Sequence, residues 1–288
     1  MHQHIVAGFS GYQASLGAAH WAAREAESAR LPLRLVYALE GLPPGTEDKL
    51  GLERRRCLTQ YGLRHTAGEL SSRHPRLEVE ALHAWQPRLP ALLEATRHAD
   101  CLVIGNMAPS TLGGFLTGSL TLLTAAHAEG PVVLVRPGWE TTAAAHTADA
   151  RPVVLGLDPA HHQDPAIAFA FEAALRHHST LRVVHAWWLP VAHALAPISP
   201  ATWEEDEAAA YAAVRAVLRP WREKYPQIRV KLDLRHGDPR PTLCVNAARA
   251  SLTVVGRGPH TTPRPHLGPV THTLIRRATS PVAVVPHG

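Results

Sequence analysis

The stretch Gly105-Asn106-Met107-Ala108, followed by nine residues and then Gly118-Ser119, is the part of this sequence best suited to hold an anion. A Gly-Ser step that opens a helix offers backbone N–H groups, a hydroxyl and the positive end of the helix dipole to one point, and together these suit a phosphate. The amides of Leu120 and Thr121 would extend the cradle. The same step is also a plain helix cap, so alone it fixes no function. A comparable stretch in the other half reads Val255-Gly256-Arg257-Gly258, then nine residues, then Gly268-Pro269-Val270. With Gly258 set against Ala108, the first glycine position falls on Val255. Pro269 lacks both the hydroxyl and the backbone donor of Ser119, although proline is favourable at a first helical position. Thr271 is a substitute hydroxyl, and Arg257, His260, Arg264 and His266 could attract an anion electrostatically.

Other chemistries lack their residues. The chain contains no Gly-x-Ser-x-Gly elbow, no His-Glu-x-x-His pair and no Walker A loop, so no enzyme is expected. Among 20 histidines, His161-His162 and His177-His178 are adjacent pairs. Neighbours on a helix point in different directions and do not chelate one ion as an i, i+4 pair does. Cys57, Cys101 and Cys244 are widely spaced, which argues against a disulfide framework or a zinc knuckle and leaves them as buried small apolar residues.

The elements that must position the loops emerge when the chain is laid against itself. Ile5-Val6-Ala7-Gly8 matches Val153-Val154-Leu155-Gly156 at an offset of 148 residues, as does Leu33 to Ala38 against Leu181 to Ala186. Leu102-Val103-Ile104 lies over Leu252-Thr253-Val254, Gly118 over Gly268 and Pro131 to Val135 over Pro281 to Val285, all at an offset of 150. Order kept through the whole length means a duplicated domain. In the first copy the patterning predicts strands near 4–9, 33–39, 77–84, 101–105 and 131–135, with helices near 14–30, 47–73, 88–98 and 118–128; in the second, strands fall near 152–157, 181–187, 228–235, 252–256 and 281–285. Alternating strands and helices, with strands apolar on both faces, imply an α/β fold: two tandem doubly wound five-stranded parallel sheets with helices on both faces, of Rossmann-like type. The expected divisions are a first domain over 1–137, a Thr- and Ala-rich linker over 138–150 and a second domain over 151–288, with a further irregular stretch over 189–201.

Gly105, Ala108, Gly118 and Ser119 stand in register with a Gly, two residues, Gly, nine residues, Gly-Ser/Thr pattern, and with the duplicated strands they make the chain resemble a tandem universal stress protein. The resemblance implies an adenine nucleotide, ATP with or without Mg, bound at the carboxyl edge of the sheet. The position that carries the family's Asp after the first strand is Ser10 in the first copy and Asp158 in the second. Ala38 and Ala186 end the second strands where the family contacts adenine. Gly105, Ala108, Gly118, Ser119 and Leu120 would form the first phosphate loop, and Gly256, Gly258, Gly268 and Val270 the second. Alanine at 108 would cost on the order of 1 kcal/mol if that position needs positive φ. Family members either bind ATP or have lost the loop, so two readings stay open: a nucleotide-binding stress-response protein with at least one working site, and an interaction or scaffold protein with decayed pockets. The resemblance also implies an internal pseudo-dimer through the last strands, Val132 to Val135 and Val282 to Val285, a possible homodimer and an unknown protein partner.

Composition narrows the partners. The 288 residues carry a net charge of +5, but the arginines are scattered and no basic run is interleaved with aromatics, so nucleic acid is not expected. No stretch reaches the roughly 20 apolar residues that span a bilayer and the start shows no export signal, which places the chain in the cytoplasm. The tryptophans Trp187, Trp188, Trp203 and Trp221 are expected in core or rim packing.

Overall fold

Runs of branched apolar residues form the strands, and alanine-rich amphipathic segments form the helices that cover them. The computed structural model describes residues 4–11, 13–38, 49–106, 114–139, 151–161, 163–187, 200–258 and 267–287. The first half contains β1 (Ile5–Gly8), α1 (Gln13–Ala29), β2 (Leu33–Ala38), α2 (Lys49–Arg73), β3 (Val79–Ala84), α3 (Arg88–Thr96), β4 (Leu102–Gly105), α4 (Gly114–His127) and β5 (Val132–Val135). The second contains β6 (Val153–Gly156), α5 (Asp164–Arg176), β7 (Leu181–Trp187), α6 (Pro200–Lys224), β8 (Val230–His236), α7 (Pro239–Ala247), β9 (Leu252–Arg257), α8 (Pro269–Arg277) and β10 (Val282–Pro286). These halves are two compact units.

Within each unit five strands run parallel, in the order β3-β2-β1-β4-β5 in the first and β8-β7-β6-β9-β10 in the second. The order reverses direction between β1 and β4, and again between β6 and β9. Right-handed crossovers then place α1 and α2 on one face and α3 and α4 on the other. The contacts agree: α1 touches α2 and α3 packs on α4, while α5 touches α6 and α7 packs on α8.

Small side chains bring the first helix close to its sheet. In α1, Ala18, Ala19, Ala22, Ala23 and Ala26 are buried; in α5, Ala166, Ala170, Ala173 and Ala174 line up with Ile167 and Phe171. Both helices end on a residue at positive φ, Arg30 at 55° and His178 at 47°. The next amide reaches back to the helix in each case, Leu31 N to Ala26 O and Ser179 N to Ala174 O, both 2.9 Å. This is a left-handed C-cap made without glycine. Phe171 is wholly buried and stacks on Trp221 and Tyr225, with centroids 6.3 and 5.4 Å away. Phe171→Ala is expected to destabilise the second unit by about 3–5 kcal/mol, read as a lower midpoint in urea unfolding.

Several expectations shift. Trp139 is buried under the Arg24 guanidinium, 5.5 Å from its ring centroid, so the packing of the first unit extends into the segment read as a linker. The rest of that segment, 140–150, and most of the irregular stretch, 188–199 with Trp188, lie outside the described residues. Of the cysteines, Cys101 is buried and Cys244 half-buried, but Cys57 is exposed on the outer face of α2. The helix expected from 118 begins at Gly114. Among the described residues no helix is long and apolar enough to cross a membrane.

Candidate functional site

At a point where strand order reverses, the loops that follow the two flanking strands diverge and leave a crevice at the carboxyl edge. In the first unit that edge is formed by the ends of β1 and β4, in the second by β6 and β9. Glycines make both edges compact. A Cβ on Gly8 would press on Ile104 and Leu92 at 3.0 Å; one on Gly156 would press on Leu243 at 3.1 and 3.2 Å and on Val255 at 3.2 Å.

Strand register corrects the alignment of the two loops. Val6 pairs with Leu102 and Leu102 with Val132, whereas Val154 and Val282 both pair with Thr253. Because Val6 corresponds to Val154 and Val132 to Val282, Leu102 corresponds to Thr253, and Gly105 to Gly256. The first glycine is therefore present in the second copy at Gly256, not displaced onto Val255, and Gly258 has no glycine counterpart. A loop one residue shorter makes up the difference. Sequence matching missed this because Leu102 over Leu252 is the better residue match, while hydrogen bonding follows the backbone.

The two glycines meet different neighbours. A Cβ on Gly105 would overlap the backbone carbonyl of Ala14 in α1. A Cβ on Gly256 would instead run into the imidazole of His287, with Gln163 Cδ at 3.6 Å. His287 follows β10, its amide donates to Arg257 O at 3.2 Å, and its ring fills the space directly against the first motif glycine. Nothing in the sequence marks this residue; only the return of β10 beside β9 brings it there.

The remaining candidates can be placed one by one. Ser10 is exposed beside Gly11, whose φ is +78°. Asp158 stands at the same point of the second unit and is spent on its own turn: Oδ1 accepts from Ala160 N at 3.1 Å, Oδ2 lies 2.9 Å from His161 Nδ1, and its amide donates to Gln163 Oε1 at 3.4 Å. Ala38 ends β2 and Ala186 is the last residue but one of β7, both half-buried. Beyond Ala186, Trp187 is packed against Trp203 and His236, with centroids 5.4 and 5.2 Å away.

Gly118, Ser119 and Leu120 lie one turn inside α4, so their amides fall within the helical ladder, and the N–H groups of α4 without intrahelical partners are those of its first three residues, Gly114, Phe115 and Leu116. Gly268 caps α8 with φ −59° and ψ 159°, and Pro269 is its first residue. Val270 thus offers an early amide, but Thr271 is buried like Thr121, whose hydroxyl donates to Gly105 O at 3.4 Å, and it is no surface hydroxyl. Ala108 lies outside the described residues, as do His260, Arg264 and His266.

Two cations at the edges were not singled out as a pair. Arg136 follows β5, and Arg257 ends β9 in the place of Asn106; burial pulls both guanidinium pKa values below the ordinary arginine value. Among the described residues no group of three or more His, Cys, Asp or Glu side chains is placed to hold a metal.

The universal stress protein family matches this chain twice, over residues 1–136 and 150–286. The chain belongs to the universal stress protein family. A universal stress protein of Mycolicibacterium smegmatis is 32% identical over 293 residues, covering 98% of this chain and 96% of that protein. One from Mycobacterium tuberculosis is 28% identical over 298 residues, covering 97% and 95%. Among solved structures, a universal stress protein from Archaeoglobus fulgidus shares the fold along 100% of both chains, with a TM-score of 0.73 at 14% identity. This universal stress protein is thus of the tandem type.

Proposed function

We propose that this universal stress protein is a non-enzymatic, nucleotide-responsive stress protein that binds one ATP per chain, in its first copy. The observation that carries the reading is the asymmetry at the paired glycines: the ring of His287 sits against Gly256, whereas Gly105 has no such plug among the described residues. The first copy also has three early amides on α4 and the partly buried Arg136 at the neighbouring strand end, a set that fits a polyphosphate. The second copy fits it poorly, because Pro269 has no N–H to give and Asp158 is held by its own turn.

On this reading Ser10, Ala38, Gly105, Ala108, Gly118, Ser119 and Leu120 border the working site. Gly256, Gly258, Gly268, Val270, Asp158 and Ala186 border a closed one, the domains run over 1–137 and 151–288, and the protein works in the cytoplasm through a protein partner. Calorimetric titration of ATP into nucleotide-stripped protein is expected to give one site per chain, weakened about tenfold by Ser119→Ala, the value of one hydrogen bond to a charged group. No heat with either protein, together with an unchanged melting temperature at millimolar ATP, favours an interaction protein with two decayed pockets.

A further inference from the structure

The carboxyl edge of the first unit carries a large aromatic side chain that the candidate site does not use. Trp85 directly follows β3, and it is 69% exposed. β3 runs parallel to β2 with Ala84 opposite Ala38, so Trp85 stands one residue beyond the partner of Ala38, on a strand about 4.8 Å to its side. One residue back on each strand, Tyr37 and His83 set their rings edge to face with centroids 6.3 Å apart. This end of the β2–β3 pair therefore gathers aromatic groups next to the small side chain of Ala38.

Burial does not account for an indole here. A tryptophan contributes most when its large apolar face leaves water, and one held at the surface forgoes most of that gain. The second unit has His236 at the equivalent point, since Leu33 pairs with Val79 as Leu181 pairs with Val230. There the ring packs into an aromatic cluster, with centroids 4.8 Å from Trp203 and 5.2 Å from Trp187. Both copies thus carry a ring at this point of the edge. Leu82 is the one other large apolar side chain exposed on β3, and Gln86 and Arg88 are polar. An indole and one leucine fall short of the contiguous apolar patch of several hundred Å² that marks a protein interface.

We infer that Trp85 stacks on the base of the nucleotide held by the first copy. The inference rests on the nucleotide reading of that copy and adds the residue that recognises the base. A methyl side chain at Ala38 leaves room for a flat ring at the strand end, and an indole on the next strand offers that ring an apolar π face. Stacking takes the facing surfaces of both rings out of water and holds the base in one plane. The early amides of α4 hold the phosphates and Trp85 the base, at the two ends of one ligand.

The test is calorimetric titration of ATP and of inorganic tripolyphosphate into the full chain, beside Trp85→Ala and Trp85→Phe. The side chain is at the surface, so neither change is expected to disturb folding. ATP binding is expected to weaken about tenfold or more in Trp85→Ala and to stay within about threefold of the unaltered protein in Trp85→Phe, with tripolyphosphate bound equally by all three. Equal ATP affinity in Trp85→Ala overturns the proposal and leaves the nucleotide reading standing. An equal loss of ATP and tripolyphosphate overturns it too, because the change then acts on the phosphate loop and not on the base. Tryptophan emission gives an independent reading: ATP is expected to quench a component that Trp85→Phe lacks, and identical quenching in the two proteins overturns the proposal. No heat with ATP in any of the proteins overturns the nucleotide reading itself, and this inference with it.

Discussion

Gly105→Ala is expected to destabilise the first unit by about 3 kcal/mol or more, whereas Gly256→Ala costs under about 1 kcal/mol. The two glycines occupy one structural position, yet the atoms their new methyl groups would meet differ in kind. At 105 the obstacle is the backbone carbonyl of Ala14, held in the α1 ladder on a face of buried alanines. It can move only if the helix moves, and a close-packed interior transmits that displacement to the sheet. At 256 the obstacle is the ring of His287, beyond the last strand, and a rotation about its side-chain bonds clears the space. Urea unfolding of both variants measures the difference. Equal losses would mean that His287 is held as firmly as a helix backbone, and the plug would then be part of the core.

His287→Ala combined with Pro269→Ser is expected to raise the ATP stoichiometry from one per chain to two. The first change vacates the space against Gly256, and the second restores both a hydroxyl and an N–H at the start of α8, where Gly268 already has the cap conformation. His287→Ala alone leaves Pro269 without a donor, and Pro269→Ser alone leaves the ring in place, so neither single change is expected to add a measurable site. Restoring several charge-assisted hydrogen bonds at a helix N-terminus is worth a few kcal/mol, on the order of a hundredfold in affinity. If calorimetry on the double variant still counts one ATP, the closure of the second copy lies elsewhere in its loop. If it counts two before any change, the asymmetry is not functional.

Much of this was present in the residues. Period-two and period-3.6 patterns placed the strands and most helices, because strands buried on both faces and helices buried on one leave unmistakable apolar runs. The duplication was legible for the same reason: matching runs such as Leu33 to Ala38 and Leu181 to Ala186 fill equivalent places in the two sheets. The Gly-rich loops and the loss of a donor at Pro269 needed only the chemistry of glycine and proline.

Local rules failed where backbone geometry decides. The C-caps at Arg30 and His178 carry no glycine, so nothing in their type announced a left-handed residue. Helix α4 begins a turn before Gly118 because a glycine-containing stretch can be helical when its surroundings demand it. The one-residue slip between the loops was set by strand pairing, which follows hydrogen-bond register and is blind to a better side-chain match.

By itself, then, the sequence determined the fold class, the repeat and the family, since each of these rests on residue type and spacing along the chain. Only the tertiary structure decided that Gly256 is the counterpart of Gly105, that His287 covers it, and that Trp85 stands beside the strand end at Ala38. Those relations join residues tens of positions apart through parallel strand pairing and helix packing, and no local pattern encodes which side chain a returning strand will set against a distant glycine.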